Sequence, residues 1–384
     1  MRLALLAAFR FPAPQGSQRY ADEQARALAA AGAEVTLFCY GRGDGRDTGA
    51  LQLVRSAPWL APARPSARLD LRKLPSDASL MTALARAHRA APFDAVLAHN
   101  AEAALLALAL RPVLRAPLIY VAHTLWQVEL AAYLPRAFAL AGALRAPGAA
   151  LDRLLARRAD ATLVLSEAAE AALRPHARGP LAHIAPGWTR EPAPDADEIE
   201  DVCRRHGLAP GEFAIYTGNL DGYQDLAELD AAAARLAPRR VVVATHDSRR
   251  VRLAHLRVLR IASPEESRLL TYGARLAVVP RRHVGGFPIK LLQYMEAGRA
   301  IVARAPLADT LVHGESGWLL EQRDSADALA GAIARVYDDA PLAAQLGAGA
   351  RRVLLKAHDW PALAWGTLDL ARRAIARRRG TPDG

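Results

Sequence analysis

Lysine is nearly absent from this 384-residue chain. It occurs three times, at Lys73, Lys290 and Lys356, among 50 cationic side chains, so arginine carries almost all of the positive charge. A bias this strong reflects composition wherever chemistry is indifferent. A lysine kept against it marks a place where a compact ammonium suits the task. Cysteine is scarce too. Cys39 and Cys203 cannot build a disulfide scaffold or a multi-cysteine metal site, and read as small buried apolar residues in a reducing compartment. Aromatic residues make up 6%, too few for a platform that stacks single-stranded nucleic acid. No apolar run reaches the roughly 20 residues a membrane-spanning helix needs, because Arg or Pro interrupts each one. The opening MRLALLAAFRFPAP imitates a signal peptide, but its run Leu3–Phe9 is short and closed by Arg10. It reads as a first buried strand, in a cytoplasmic protein.

What is present is a globular composition, 52% hydrophobic and 23% charged. The length suggests two domains of roughly 190 residues each. The net charge of +11 points at first to polyanions. No nucleic-acid recognition module accompanies it, so nucleic acid is excluded as a partner.

Short apolar runs alternate with Ala/Leu/Arg helical patterns. Strands are expected at Leu3–Phe9, Glu34–Cys39, Ala95–Ala98, Leu118–Ala122 and Ala161–Leu165, with a helix from Gln18 to Ala31. The rhythm pauses in the proline-rich APGWTREPAPDA and restarts with Phe213–Thr217, Val241–Ala244, Leu256–Ile261, Leu276–Val279 and Ala300–Ala303. This βαβα order predicts two doubly wound parallel sheets. The expected layout is a first domain over 1–188, a linker over 189–212 with a hinge near 185–212, and a second domain over 213–359. An Arg-rich amphipathic helix over 360–379 packs back on the first.

Four segments can carry chemistry. In PAPQGSQRYADEQ a strand runs through Pro and Gly into a helix. Gly16 permits close backbone approach and Ser17 can cap the helix, although an ordinary βα turn reads the same way. His99 in VLAHN and His123 in YVAHT fall at the carboxyl ends of two strands, where parallel sheets bind ligands. A sugar contact and a structural role are equally compatible with them. Glu102 and Glu129 lie close by as acid–base candidates or solvated helix residues. In YTGNLDGYQDL a strand leads into Gly218 and Asn219 at the mouth of the second domain. PRRHVGGFPIKLLQYMEAGRAIVA is the most informative. Paired glycines precede a helix expected from about Pro288 to Ala297, with Lys290 in its first turn. Helix dipoles disfavour lysine there unless an anion is bound. Asp195-Ala-Asp197 has metal-binding spacing but sits in the linker, so no metal is expected.

Taken in order, these segments together with LVLSEAA, IAPGW and GESGWLL resemble GT-B fold glycosyltransferases, most closely the retaining family 4 enzymes. The resemblance implies two Rossmann-like domains facing across a cleft, a nucleotide-diphosphate sugar donor, and no metal cofactor. It places Gly16 and Ser17 near the donor diphosphate and His123 beside the transferred sugar as the catalytic histidine. Gly218, Asn219, Gly286, Phe287, Pro288, Ile289, Lys290 and Gln293 fall at donor-binding positions, and His99 and Glu129 on the acceptor side. Four positions depart from the family pattern. Gly285 and Gln293 replace its two carboxylates, and Asn219 and Gln224 replace two phosphate-binding cations. Gln293 can still accept hydrogen bonds through its amide oxygen, and Glu296 is a substitute carboxylate or a surface residue. The expected reaction is transfer of a hexose or hexosamine to a sugar, polysaccharide or lipid-linked acceptor. A binding or scaffold subunit and a sugar-nucleotide epimerase are the competing readings. Residues 131–158, with five arginines, suit either an anionic membrane surface at the inner face or an Arg-decorated helix pair.

Overall fold

The computed structural model describes every residue except 14, 44–48, 50, 62–70, 133–140, 248–250, 283–285 and 381–384. The chain forms two compact units. The first comprises Met1–Gly187, Gly285–Phe287 and Asp359–Gly384, and the second Trp188–Val284 and Pro288–His358.

The first unit is built on a parallel sheet. Its strands are β1 (Arg2–Arg10), β2 (Glu34–Tyr40), β3 (Gln52–Arg55), β4 (Ala95–His99), β5 (Leu118–Ala122), β6 (Ala161–Val164) and β7 (Leu181–His183). Their spatial order is β3-β2-β1-β4-β5-β6-β7. The inner strands are continuous apolar runs because helices cover both faces. Leu3, Leu5, Leu97 and Ile119 are fully buried, each contributing about 1.5–3 kcal/mol over an exposed side chain. The helix Trp360–Arg379 belongs to this unit and packs on the helix Gly16–Ala30. There the Trp360 indole donates to Glu23 Oε2 at 2.7 Å.

The second unit repeats the plan with β8 (Phe213–Thr217), β9 (Arg240–Thr245), β10 (Arg257–Arg260), β11 (Leu276–Val279), β12 (Ala300–Arg304) and β13 (Trp318–Leu320), ordered β10-β9-β8-β11-β12-β13. In each sheet the strand order reverses beside the first strand: between β1 and β4, and between β8 and β11. Crevices outside the carboxyl ends at such switch points are where open parallel sheets bind ligands.

Two expectations are corrected here. The stretch read as linker contains a helix, Ala196–Arg205. Asp195 caps it, and Glu198 accepts the Asp195 N–H at 3.1 Å, so the first aspartate of the Asp-x-Asp serves a capping box with Glu198. Ser17 does not cap. Gln15 occupies the N-cap and Ser17 lies inside the helix.

Candidate functional site

At the switch point of the first unit, parallel pairing sets His99 opposite Ala7 of β1 and Val121 of β5. His123, two residues past Val121, therefore reaches the same rim. The rings meet directly, with His99 Nδ1 and His123 Nε2 2.9 Å apart. His99 is wholly buried and His123 is 5% exposed. Burial pushes the His99 pKa down to about 3. Burial, and then the neighbouring His99, hold His123 well below the ordinary histidine range. Both rings are neutral at physiological pH. Tyr20 packs edge-on against His123 at 4.9 Å between centroids and also meets Trp360 at 5.5 Å. Asn100, the residue after His99, adopts φ +71, a left-handed conformation that asparagine tolerates, and the chain turns there from β4 into its helix.

The loop carrying His123 is fixed from below. Asp152, fully buried, accepts the N–H groups of Trp126 and Gln127 at 3.0 Å each. It thereby caps the helix Trp126–Ala132 from a neighbouring helix, Ala141–Arg158. The sequence pattern carried no sign of this long-range cap. Glu129 is half-buried on Trp126–Ala132, and burial first, then Asp152 and Glu129, raise the Tyr120 hydroxyl pKa. His99 shows no surface to an acceptor; its partner is His123.

The switch point of the second unit is cationic. Lys290 Nζ lies 3.8 Å from the Tyr216 ring centroid and donates to Gln224 Oε1 at 3.2 Å. Gln224 Nε2 in turn donates to Asn219 Oδ1 at 3.0 Å. Arg281, 7% exposed, lies over the Tyr223 ring at 5.1 Å. Part of Lys290 remains accessible, but its ammonium end is densely surrounded. Burial first, then Arg281, push its pKa well below the lysine range, with Asp221 opposing. Tyr294, one turn along, receives the Thr217 N–H at 2.8 Å, which pins the helix to the end of β8. Of the two amides expected to replace cations, Gln224 thus bonds the lysine directly and Asn219 bonds Gln224.

Gly218 makes this approach possible. Its φ is +133, and a Cβ there would lie 2.9 Å from Lys290 Nζ. Gly218→Ala is expected to cost about 1–3 kcal/mol of stability through backbone strain and to displace the ammonium, weakening nucleoside diphosphate binding roughly tenfold. A urea midpoint and a calorimetric titration measure the two effects separately.

The run from Gly285 to Gln293 does not act as one element. Gly285 lies outside the described residues. Gly286 and Phe287 cluster with the first unit, where a Cβ on Gly286 would meet the His123 carbonyl oxygen at 2.3 Å. Pro288, buried, and Ile289 form a turn closed by Leu291 N–H to Pro288 O at 2.8 Å, and regular helix begins only at Lys290 and ends at Glu296. The helix is shorter than expected because Pro288 and Ile289 fall in that turn. Gln293 Nε2 donates to Thr271 Oγ1 at 3.0 Å, which leaves its amide oxygen as the acceptor. Glu296 is 4% exposed and accepts the Glu191 N–H at 2.9 Å, so it serves the chain fold rather than a ligand. Gly16 is exposed and Ser17 half-buried. Arg281 was missed by sequence reasoning; its position two residues past β11, at the switch point, is the signal that could have found it.

A recess of about 470 Å³ lies elsewhere, lined by Arg111, Arg157, Arg158, Asp160, Arg178 and Arg377 among others. Asp160 precedes β6 and accepts the Leu118 N–H at 2.8 Å, so this recess is at the N-terminal ends of the strands, away from the histidines. Among the described residues no group of three or more His, Cys, Asp or Glu is arranged to hold a metal ion, and no helix is long and apolar enough to cross a membrane.

Two doubly wound parallel sheets, each with polar groups at its switch point, define an α/β class of protein. The family model of the glycosyl transferase 4-like domain matches residues 15–186, and that of glycosyl transferases group 1 matches residues 211–339. The chain belongs to this glycosyltransferase family and is a glycosyltransferase of GT-B fold. None of the curated proteins matches it. Among solved structures it is similar to sucrose-phosphate synthase from Thermosynechococcus elongatus, with TM-score 0.79 and 21% identity, covering 98% of this chain and 99% of that one. It is also similar to HepE of Anabaena in complex with UDP and glucose, with TM-score 0.72, 14% identity and coverage of 96% and 98%. A third is WaaG, a glycosyltransferase involved in lipopolysaccharide biosynthesis, with TM-score 0.69, 17% identity and coverage of 96% and 99%. At these identities the likeness is one of fold.

Proposed function

We propose that the protein transfers a hexose or hexosamine from a nucleotide-diphosphate donor to an acceptor hydroxyl, with retention at the anomeric carbon and without a metal ion, in glycan, polysaccharide or glycolipid biosynthesis. The observation that carries this reading is the Lys290 ammonium, held in a crowded site with Arg281 close by. A cation kept there at an electrostatic cost is relieved by an anion, and a departing nucleoside diphosphate is one. Lys290 and Arg281 stabilise the charge that develops as the sugar–phosphate bond breaks. The Gln293 oxygen accepts from the ribose hydroxyls. His123 and Glu129 lie on the sugar and acceptor side, and Gly16, Ser17, Gly286 and Phe287 supply backbone near the donor. The acceptor oxygen forms the new glycosidic bond, and its proton passes to the departing phosphate. The solved relatives with UDP and glucose, and the one involved in lipopolysaccharide biosynthesis, support a sugar nucleotide donor and a glycan acceptor.

The test is release of UDP, GDP, ADP or dTDP from a panel of sugar nucleotides, with the anomeric configuration of the product read by proton NMR. His123→Ala removes a preorganised hydrogen-bonding group and is expected to lower turnover about a hundredfold. Donor binding without turnover on any acceptor would instead favour a scaffold subunit, which the amides at Asn219, Gln224 and Gln293 motivate. An epimerised free sugar nucleotide would overturn transfer. Exposed Arg153, Arg157 and Arg158 on Ala141–Arg158 support peripheral association with an anionic inner membrane face of the cytoplasm. Flotation with liposomes containing anionic lipid tests this, and recovery only in the soluble fraction would refute it.

A further inference from the structure

The histidine pair contains a choice that its surroundings resolve. Both rings are neutral, so each carries one N–H, and a 2.9 Å contact between Nδ1 of His99 and Nε2 of His123 needs one proton between them. In one arrangement His123 donates from Nε2. His99 must then carry its own proton on Nε2. In the other His99 donates from Nδ1, its Nε2 is a bare lone pair, and His123 carries its proton on Nδ1.

His99 Nε2 is buried and has no hydrogen-bond partner. The first arrangement therefore strands an N–H donor in the interior, and orphaned buried N–H groups are rarer than under-satisfied acceptors. The second arrangement avoids it. Neither Tyr20, whose hydroxyl receives Gln24 Nε2 at 2.9 Å, nor any other described group accepts from His99 Nε2.

We propose that His99 is a positioning residue: by donating Nδ1–H to His123 Nε2 it holds His123 as the Nδ1–H tautomer, so that His123 offers its ligand a hydrogen-bond donor rather than a base. The hydrogen bond made by one ring nitrogen fixes the state of the other. This assigns His99 a role other than acceptor contact, and it rests on the reading that places His123 beside the sugar. A neutral N–H donor suits a sugar hydroxyl or ring oxygen, and it leaves proton removal to the departing phosphate.

The test uses the full-length protein without substrate, labelled with nitrogen-15 in histidine. Long-range proton–nitrogen correlation spectra report the tautomer of each ring, and His123→Asn identifies the signals of His123. The expected result is Nδ1–H in the native protein, and Nε2–H at His123 overturns the proposal. In His99→Phe, which removes the donor, His123 is expected to move toward Nε2–H, with kcat at least tenfold lower and donor KM little changed. His99→Asn, which keeps an amide N–H near the Nδ1 position, is expected to restore much of kcat. If His99→Phe does not fold, the native tautomer and the asparagine variant still decide. Native Nδ1–H with unchanged kcat in a folded His99→Phe overturns the positioning role. Failure of the sugar-nucleotide panel with the expected tautomer present would instead point to the wrong substrate class.

Discussion

Lys290→Ala is expected to lower sugar transfer by at least about a hundredfold, the scale on which removing one preorganised donor acts on a developing anion. The lysine is the ammonium at the switch point of the second sheet, set over Tyr216 and bonded to Gln224. Lys290→Arg is not expected to rescue. A Cβ on Gly218 would already lie 2.9 Å from Nζ, and a branched, planar guanidinium does not reproduce the compact ammonium there. Lys290→Met keeps the length and removes the charge, so it separates packing from electrostatics. The depressed pKa adds a pH signature with a definite sign. Burial and Arg281 lower the pKa of the ammonium in the free protein, whereas a bound diphosphate raises it. Binding should take up a proton, and affinity should fall as pH rises, beginning below the ordinary lysine value of about 10.4. Titrations of the released nucleoside diphosphate in buffers of different ionisation enthalpy measure that uptake. Its persistence in Lys290→Met would assign the proton to another group.

The second large effect concerns stability. Glu228, on the helix Leu226–Ala233, holds two arginines. Arg304, whose side chain is 2% exposed, donates to Glu228 Oε1 at 2.5 Å and to the Glu321 carbonyl at 2.6 Å. Arg282 donates to Glu228 Oε2 at 2.6 Å and to the Asp324 carbonyl at 2.7 Å. Glu228→Ala strands Arg304 without its counter-charge and is expected to cost about 3–5 kcal/mol, read as a fall in the urea midpoint. The double change Glu228→Leu with Arg304→Met is expected to recover most of that loss, because well-packed apolar groups commonly replace a buried pair without penalty. The backbone of Arg282 is also anchored to Asp225 Oδ2 at 2.8 Å. The network therefore sets the loop that carries Arg281, and Glu228→Ala should weaken donor binding as well.

The inner strands were legible because both faces are buried and the chain must be apolar throughout. Leu118–Ala122, Phe213–Thr217 and Leu276–Val279 match their expected limits. Three edge strands went unread: Gln52–Arg55, Leu181–His183 and Trp318–Leu320. They are only three or four residues long and mostly half-buried, too short for a strand pattern to stand out. At the site, strand ends pointed to His99 and His123, but their mutual hydrogen bond depends on the register of three strands. Asp152 and Arg281 act across 25 and more residues of chain, a distance over which local periodicity is silent. Glu296 has the composition of a site residue and the contacts of a structural one, which residue type alone does not separate.

The first unit begins and ends the chain, with the second unit inserted between Gly187 and Asp359. Synthesis therefore delivers the Trp360 helix only after the whole second unit. At roughly 5–20 residues per second the intervening segment takes on the order of ten to thirty seconds to emerge. During that interval Tyr20 and Glu23 lack Trp360, the indole that packs on the Tyr20 ring and bonds Glu23. A product cut short before residue 360 holds every strand of the second sheet but lacks the indole that supports Tyr20, the ring packed edge-on against His123.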